Sequence, residues 1–323
     1  MERVSSFARC QRRNAKTQLS QADRWQVALT DGVGVSLQCN FGLAEQTMPK
    51  RILIAGLVAL LLNACGGGSS SDGAAPAISQ IVAENLKYGQ TANIYIAGKY
   101  MRSDMVASTG TCTNPSFSST STTESALLNC KVTATGPLPI TIKAANGDVL
   151  FSITLNVAQP EVTLFTSKGS IVLDLYPAGA PTTVNNFLAY VNSRYYANTL
   201  FHRVIAGFVI QGGGYTTGVV KKAGQTAPIA LESNKGLSNT RGTVAMARTA
   251  DPNSATSEFF INLVDNLNLN YQNANNPGYA VFGKVTSDLA VVDAIAAEPT
   301  GATGAFSDVP LTDVVIGLAS QTR

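Results

Sequence analysis

The segment FHRVIAGFVIQGGG, residues 201–214, is the most informative part of this chain for its fold. Apolar side chains alternate with other residues through much of it, and this alternation predicts a β-strand over residues 200–210. A glycine run such as 212–214 can cradle a phosphate group, but here neither a helix start nor a lysine follows at the required spacing. On the pattern alone, Arg203 fits a solvated strand face and Gln211 fits ordinary turn chemistry.

Similar alternation flanks this segment on both sides. Residues 162–166 and 171–175 are predicted to form a hairpin, because both runs alternate and a glycine-containing turn joins them. Further strands are predicted at residues 243–247, 258–262, 279–285 and 314–316. The C-terminal half of the chain is therefore expected to be rich in short strands.

Two stretches have helical spacing instead. The first apolar stripe consists of Val184, Phe187, Leu188 and Val191, with Pro181 at a suitable helix start. The second stripe consists of Leu289, Val292, Ile295 and Ala296, behind Asp288 as a predicted N-cap. Many strands with two helices at intervals predict a mainly β fold, a closed antiparallel barrel capped by the two helices.

Residues 77–159 precede this barrel domain, which is predicted to span 160–323. Alternating strands are predicted at 92–97, 130–134, 140–142 and 149–155, and no helical pattern competes with them. The last two strands flank Asn146-Gly147-Asp148, which is a hairpin turn signal. The segment is therefore predicted to be a small immunoglobulin-like β-sandwich, with spacing or partner binding as its role.

The N-terminal part contains a targeting pattern. The stretch MPKRILIAGLVALLLNAC, residues 48–65, has a basic start, a short apolar run and small residues near its end, which is the plan of a signal peptide. The apolar run is shorter than the roughly 20 residues of a membrane-spanning helix. A buried core helix is the alternative, but the Gly/Ser-rich segment that follows, within the predicted linker 65–76, disfavours it.

The end of this stretch, LNAC, resembles a bacterial lipobox, in which the cysteine becomes the lipidated first residue of the mature protein. The resemblance implies lipidation of Cys65, and Gly66 after it favours the outer membrane, facing the periplasm. Met48 is then the expected true start, and residues 1–47 are expected to be a mis-assigned upstream extension. We therefore expect a lipid-anchored protein of the cell envelope.

Composition excludes several classes of function. The net charge is only +3 and charged residues make up 13% of the chain, which is too mild for a nucleic-acid-binding face. The chain has one histidine, His202, so a multi-histidine metal site is excluded. In an oxidising compartment Cys112 and Cys130 form an even pair, for which we expect a disulfide, with two buried free thiols as the alternative.

Several motifs in order identify a family. The segment 201–214 resembles the central signature of cyclophilins, and NTRGTVAMA (239–247), SATSEFFIN (254–262) and YAVFGKV (279–285) are similar to further family segments. The resemblance covers residues 162–316 and is closest to the bacterial periplasmic type. It implies peptidyl-prolyl cis–trans isomerase activity on proline-containing polypeptide clients, with no cofactor and no metal.

Chemical reasoning agrees with this activity. Rotation about an X–Pro bond costs about 18–20 kcal/mol because C–N conjugation must be lost. A catalyst can donate a hydrogen bond to the prolyl nitrogen as its lone pair localises, hold the proline ring, and exclude water. An arginine beside an apolar, aromatic-lined pocket supplies all three, and such a donor acts mainly on the twisted state.

The resemblance assigns roles to individual residues. Arg203 makes the contact to the prolyl nitrogen, Gln211 orients it, and His202 lines the edge of the site. The apolar pocket for proline is formed by Phe208, Val209, Phe260 and Leu269. The other substrate-binding positions are Ala247, Arg248, Glu258, Asn268 and Tyr279.

Three of these positions depart from the common family pattern. Tyr279 stands where eukaryotic members have histidine, but bacterial relatives share the tyrosine, and the two departures that bear on function are Glu258 and Asn268. Glu258 stands where many cyclophilins have glutamine, and its carboxylate is expected to lie near Arg203, where an ion pair would compete for the guanidinium. Asn268 replaces a large aromatic residue. These departures favour the first alternative function, a peptide-binding or chaperone-like module with weak turnover. A second alternative makes residues 77–159 the working part, as an adhesin or surface scaffold.

Overall fold

The structure is a computed structural model that describes residues 76–119 and 121–323. The predicted upstream extension (1–47), signal peptide (48–64), lipidated Cys65 and nearly all of the linker (65–76) lie outside the described residues. None of the helices within the described ranges combines the length and apolar character needed to cross a lipid bilayer.

The first part of the described chain is all β. Its strands are β1 (Ala77–Glu84), β2 (Thr91–Lys99), β3 (Val106–Ser108), β4 (Cys112–Phe117), β5 (Ser125–Val132), β6 (Gly136–Lys143) and β7 (Val149–Val157). They form two antiparallel sheets with the orders β1-β2-β5-β4 and β3-β6-β7. Ile94 and Leu128 from the first sheet and Leu138 and Ile140 from the second share one buried cluster. The predicted turn at 146–148 joins β6 to β7, where Gly147 adopts φ +93°.

The predicted disulfide is present. Cys112 on β4 and Cys130 on β5 are bonded, with a Cα–Cα distance of 5.3 Å. The two strands are neighbours in one sheet, so the bond reinforces an existing pair of strands and does not link the two sheets.

Removal of this disulfide should destabilise the small β region without affecting a site on the barrel. The disulfide joins two residues 18 positions apart and therefore restricts the conformations of the unfolded chain. In the chain-entropy model this restriction stabilises the folded state by about 3 kcal/mol. The double substitution Cys112→Ala with Cys130→Ala should therefore lower the free energy of unfolding of this region by about that amount. Denaturant unfolding of the full chain, with and without reductant, checks this. Equal stability of the double variant and the oxidised parent would contradict it.

One loop of the small β region packs against the barrel domain. Tyr88, between β1 and β2, is only 3% exposed and belongs to the hydrophobic cluster of the barrel. Gln321, near the C-terminus, donates from Nε2 to the carbonyl of Tyr88 at 3.0 Å and accepts from Gln90 Nε2 at 3.1 Å. Burial raises the pKa of Tyr88, and a hydrogen bond from Asn185 only partly offsets this. The two regions are therefore in specific contact through Tyr88 and Gln321.

The second part of the chain contains both helices of the described residues. Its elements are β8 (Glu161–Thr166), β9 (Gly169–Leu175), α1 (Pro181–Asn192), β10 (Thr199–Ile205), β11 (Val209–Gly212), β12 (Tyr215–Thr216), β13 (Val220–Lys221), β14 (Thr243–Met246), β15 (Phe259–Asn262), β16 (Val281–Val285), α2 (Ala290–Ala296), β17 (Thr300–Thr303), β18 (Phe306–Pro310) and β19 (Val315–Gln321). Eight strands close into an antiparallel barrel in the order β10-β11-β15-β14-β16-β9-β8-β19. The predicted barrel and its two helices are confirmed.

Each barrel strand contributes to two different surfaces, because successive side chains in a strand point to opposite faces. Ile210, Phe259 and Val244 belong to the large buried cluster that also includes Phe187 of α1. The residues between or beside them on the same strands, such as Phe260, belong to a separate, smaller cluster. The barrel wall therefore carries a site-forming face on the side opposite to its core.

Two sequence predictions need correction. Residues 200–210 do not form one strand: β10 ends at Ile205, the amide of Phe208 donates to the carbonyl of Ile205 at 3.0 Å, and β11 begins at Val209. The turn depends on Gly207, whose φ of +71° suits glycine far better than other residues. Asp288 is also not the N-cap: Leu289 occupies that position, although Asp288 Oδ1 accepts from the amide of Ala290 at 3.0 Å.

Candidate active site

Strand register aligns the central site residues in one row. Arg203 on β10 pairs with Gln211 on β11, Gln211 pairs with Phe260 on β15, and Phe260 pairs with Ala245 on β14. Ala245 in turn pairs with Val281 on β16. Cross-strand partners have neighbouring side chains on the same face of a sheet. Along this row the guanidinium of Arg203 comes first, then the amide of Gln211, and then the apolar side chains of Phe260, Ala245 and Val281.

The apolar end of this row is a compact cluster. Its buried members are Val209, Ala245, Ala247, Phe260 and Val281, and the partly buried residues packed against it are Phe208, Leu237, Leu269 and Tyr279. All four residues predicted to receive proline are in this set. The rings of Phe260 and Tyr279 meet edge to face, with centroids 5.5 Å apart. A cleft of about 270 Å³ adjoins the cluster through Leu237.

A chain of polar contacts leads to the arginine. Arg203 Nη1 donates to Gln211 Oε1 at 3.4 Å, and Gln211 Nε2 donates to Glu258 Oε2 at 3.0 Å. The Arg203 side chain is 38% exposed and its Nε lies 3.9 Å from Asp308 Oδ2. The expected ion pair between Glu258 and Arg203 is therefore absent among the ion pairs of the described chain, and Gln211 stands between the two groups.

Glu258 is tightly enclosed. A Cβ on Gly214 would lie 2.5 Å from Glu258 Cγ, so the last glycine of the 212–214 run leaves room for this side chain. Burial raises the pKa of the Glu258 carboxyl, but the hydrogen bond and electrostatic attraction of His202, with smaller contributions from Gln211 and Lys221, outweigh it. The net pKa lies below its ordinary value, so the group is an ionised acceptor at neutral pH.

His202 does not line the edge of the site as the sequence predicted. Its side chain is 1% exposed and is in ring contact with Tyr215 and Phe306, whose centroids lie 4.5 and 5.7 Å away. Its Nε2 lies 3.4 Å from Glu258 Oε2, whereas Nδ1 is buried without a hydrogen-bond partner in the described residues. At 1% exposure the ring offers almost no surface to a substrate, and its polar contact is with Glu258.

Ala247 and Arg248, which were predicted to pair with the substrate backbone, lie at the Tyr279 side of the apolar cluster. Ala247 is 8% exposed, and its amide donates to the carbonyl of Glu258 at 2.9 Å. The guanidinium of Arg248 stacks on Tyr279, with Cζ 4.5 Å from the ring centroid, and donates to the carbonyl of Gly278 from Nε and Nη2. Arg248 therefore braces the Tyr279 side of the apolar cluster.

Asn268 and Leu269 lie on a single 3-10 turn, Leu267–Leu269. Asn268 is exposed and Leu269 is partly buried against the cluster. The carbonyl of Leu269 accepts from Asn239 Nδ2 at 3.1 Å and from the amide of Tyr279 at 2.9 Å. Leu269 is thus fixed in place, while Asn268 leaves this edge of the site without the aromatic wall.

Sequence reasoning missed the asparagines that support the site. Asn266 Nδ2 donates to the carbonyl of Phe208 at 2.9 Å and to Asn262 Oδ1 at 2.8 Å. Asn262 Nδ2 donates to Asn239 Oδ1 at 3.2 Å, and Asn239 holds Leu269. The network joins the backbones of two pocket residues, so it sets the shape of the apolar cluster. The asparagines in and just after SATSEFFIN were the available signal.

Asp308 was also missed, because it lies on β18, outside the motifs. Ser307 Oγ donates to Asp308 Oδ2 at 2.8 Å, and this same oxygen faces Arg203. Within residues 76–119 and 121–323, no three His, Cys, Asp or Glu side chains are grouped so that they could hold a metal ion. The arrangement is a cation with spare N–H donors beside an apolar slot, which suits stabilisation of a twisted amide.

Comparison with known proteins agrees with this chemistry. The family model described as cyclophilin type peptidyl-prolyl cis-trans isomerase matches residues 161–320. Peptidyl-prolyl cis-trans isomerase cyp18 of Streptomyces antibioticus is 54% identical over 157 residues, which are 48% of this chain and 94% of that protein. Peptidyl-prolyl cis-trans isomerase B of Escherichia coli (strain K12) is 50% identical over 157 residues, 48% of this chain and 95% of that protein.

A similar solved structure is a cyclophilin type peptidyl-prolyl cis-trans isomerase of Cryptosporidium parvum in the presence of the dipeptide Ala-Pro. It is 28% identical, with a TM-score of 0.44, and covers 50% of this chain and 99% of its own. The bacterial relatives are matched over nearly their whole length at about half identity. Through residues 161–320, this chain belongs to the cyclophilin-type peptidyl-prolyl cis–trans isomerase family, and it is an isomerase of X–Pro peptide bonds.

Proposed function

We propose that Arg203 catalyses the isomerisation by donating a hydrogen bond to the prolyl nitrogen as the amide twists. The observation that carries this proposal is the cross-strand row in which Arg203 and Gln211 adjoin Phe260 on one face of the barrel wall. In a planar amide the nitrogen lone pair is delocalised and is a poor acceptor, and in the twisted amide it is localised. The hydrogen bond therefore strengthens in the transition state, where it lowers the barrier.

The apolar cluster holds the proline ring in this scheme. Phe208, Val209, Phe260 and Leu269 form the slot, and Ala247, Arg248 and Tyr279 form the rim along which the substrate backbone runs. The slot favours a proline-containing segment because the proline ring is apolar and lacks an N–H that would need a partner. Proline-containing polypeptides are thus the substrate class. No step requires a nucleophile, a metal or a cofactor.

The biological role that we propose is the folding of extracytoplasmic proteins, whose X–Pro bonds isomerise in tens to hundreds of seconds without a catalyst. The signal-like segment at 48–64 supports this location, and so does the Cys112–Cys130 disulfide, since such bonds persist in oxidising compartments. A refolding assay on a secreted protein with a proline-limited phase tests the role. Acceleration of that phase supports it. Binding without acceleration would support the peptide-binding alternative.

We further propose that the chain is anchored in the outer membrane, facing the periplasm, through lipid on Cys65. The support is the lipobox-like LNAC at 62–65, with Gly66 after the cysteine. Replacement Cys65→Ser should move the protein from the membrane fraction to the soluble fraction of bacterial cells, while the isomerase activity is retained. Mass spectrometry of the mature N-terminus is the matching readout. A mature chain that still contains Cys10 would contradict both the anchor and the start at Met48.

For residues 77–159 we propose an immunoglobulin-like sandwich that spaces the enzyme from its anchor. The strand orders β1-β2-β5-β4 and β3-β6-β7 support this, because they correspond to the ABED and CFG sheets of that fold. A pull-down with the full chain against a variant lacking residues 77–159 separates the spacer from the scaffold or adhesin role. Partners that are lost with this segment would favour the scaffold.

A further inference from the structure

We propose that Glu258 is a positioning residue, which fixes the end of the Gln211 amide that faces Arg203. The inference rests on the proposed function, in which Arg203 is the catalytic donor. The Glu258 side chain makes no hydrogen bond or ion pair with Arg203 in the described chain, and only its backbone carbonyl bonds to the rim, through the amide of Ala247.

The chemistry of the three groups allows one arrangement. A guanidinium only donates hydrogen bonds, an ionised carboxylate only accepts them, and a primary amide has one end of each kind. Gln211 lies between Arg203, 3.4 Å from its Oε1, and Glu258, 3.0 Å from its Nε2. If the amide were rotated by half a turn, its NH₂ would face the guanidinium and its oxygen would face the carboxylate. Both contacts would then be repulsive, so Glu258 holds the acceptor end of the amide toward Arg203.

The carboxylate is itself held from several sides. His202 Nε2 lies 3.4 Å from Glu258 Oε2, the oxygen that also accepts from Gln211. Gly214 has no side chain and therefore leaves room for the side chain of Glu258. The His202 ring in turn packs against Tyr215 and Phe306. Glu258 is therefore a fixed acceptor, and its ionised form is favoured by these contacts. A neutral glutamine at this place could present either end of its amide and would restrain Gln211 less.

The test compares variants of the full chain with the parent in a prolyl-peptide isomerisation assay. Glu258→Leu removes the acceptor and should lower kcat about tenfold, with KM changed less than about threefold. Glu258→Gln, which keeps an acceptor oxygen, should lower kcat less than Glu258→Leu does. In a Gln211→Leu background, Glu258→Leu should change kcat by less than about twofold, since Glu258 acts through the Gln211 amide.

Two further readouts separate positioning from structural damage. In ¹⁵N NMR spectra, the Arg203 Nε–H signal, assigned by its loss in Arg203→Lys, should shift and broaden in Glu258→Leu and change less in Glu258→Gln. Glu298→Leu is the matched control: this glutamate is also mostly buried, 14% exposed against 22% for Glu258, and its side chain pairs with Lys168 and not with a site residue. Its kcat and its Arg203 signal should not change.

The outcomes are distinguishable from failure of the proposed function. If Arg203→Ala is inactive but Glu258→Leu keeps full activity and an unchanged Arg203 signal, the inference is overturned and the function stands. If Arg203→Ala is itself fully active, the proposed function fails. If Glu258→Leu lowered kcat as much in the Gln211→Leu background as in the parent, the inference would also be overturned, because Glu258 would then act without the Gln211 amide.

Discussion

Replacement Arg203→Ala should lower kcat/KM for a peptide with an X–Pro bond about 100- to 1000-fold. The reason is that the guanidinium is aimed at charge that develops only in the twisted state, and loss of one such donor has effects of this size in other enzymes. KM should change much less than kcat, because the apolar slot still binds the ground state. A protease-coupled or NMR-detected isomerisation assay measures both constants.

Arg323→Ala is the matched control for this prediction. The Arg323 side chain is 46% exposed, similar to the 38% of Arg203, and it pairs with Glu161 and Asp174 on β8 and β9. Its removal costs at most a surface ion pair, so catalysis should stay within about twofold. Equal activity of Arg203→Ala and Arg323→Ala would show that the guanidinium of Arg203 has no catalytic part.

Replacement Phe260→Ala should damage both substrate binding and stability. The ring is 4% exposed and packs edge to face with Tyr279. Its truncation removes one wall of the slot, and the lost apolar contact with proline, worth about 1.5–3 kcal/mol, predicts a fall in kcat/KM of about 10- to 100-fold. The cavity that remains should cost about 3–5 kcal/mol in the free energy of unfolding.

Phe165→Ala is the matched control, because it removes a phenylalanine ring that lies outside the slot. Phe165 on β8 is 45% exposed and is not part of the apolar slot. Phe165→Ala should change the free energy of unfolding by less than about 1 kcal/mol and leave kcat/KM unchanged. Phe260→Leu, which keeps the slot apolar, should recover part of the activity in a folded protein. If Phe260→Ala lost only stability and kept its kcat/KM, the slot would lie elsewhere.

The barrel was predictable because the alternation of apolar and polar residues in a strand shows which side chains face the core. Alternation at 162–166 and 171–175 marks residues that point to the core and residues that point away, and the two helical stripes are equally regular. Residues 243–247 and 258–262 were predicted only as strand-like segments. The β10–β11 turn was not predictable in this way, since Phe208 continues the apolar pattern through the bend. The positive φ of Gly207 and the hydrogen bond from the amide of Phe208 to the carbonyl of Ile205 separate the two strands.

The site was predictable only in part. The family motifs supplied Arg203, Gln211, Phe260 and their neighbours, and the register brings these together. Periodicity says nothing about which polar atoms meet across strands, so the Gln211 position between Glu258 and Arg203 could not be derived. A sequence neighbour of a site residue can also be buried. His202 adjoins Arg203 in sequence, yet its side chain is 1% exposed and packs against the rings of Tyr215 and Phe306.

The small β region shows a similar division. Strands β2, β6 and β7 and the disulfide partners followed from the sequence, whereas β1, β3 and β4 carry weak patterns and were not predicted. The strand predicted at 130–134 overlaps β5 only at residues 130–132. The contact of Tyr88 with the barrel has no local signal, because it joins residues more than 200 positions apart, such as Tyr88 and Gln321.

The central claim is that Arg203 acts on the twisted amide and Phe260 on the proline ring in its ground state. NMR exchange spectroscopy of a bound X–Pro peptide tests it most directly, because the dissociation constant and the cis–trans exchange rate on the enzyme are measured in one sample. We predict that Arg203→Ala binds the peptide within about threefold of the parent while exchange in the complex slows at least about 100-fold. Unchanged exchange in the complex, with the whole defect in binding, would contradict the account.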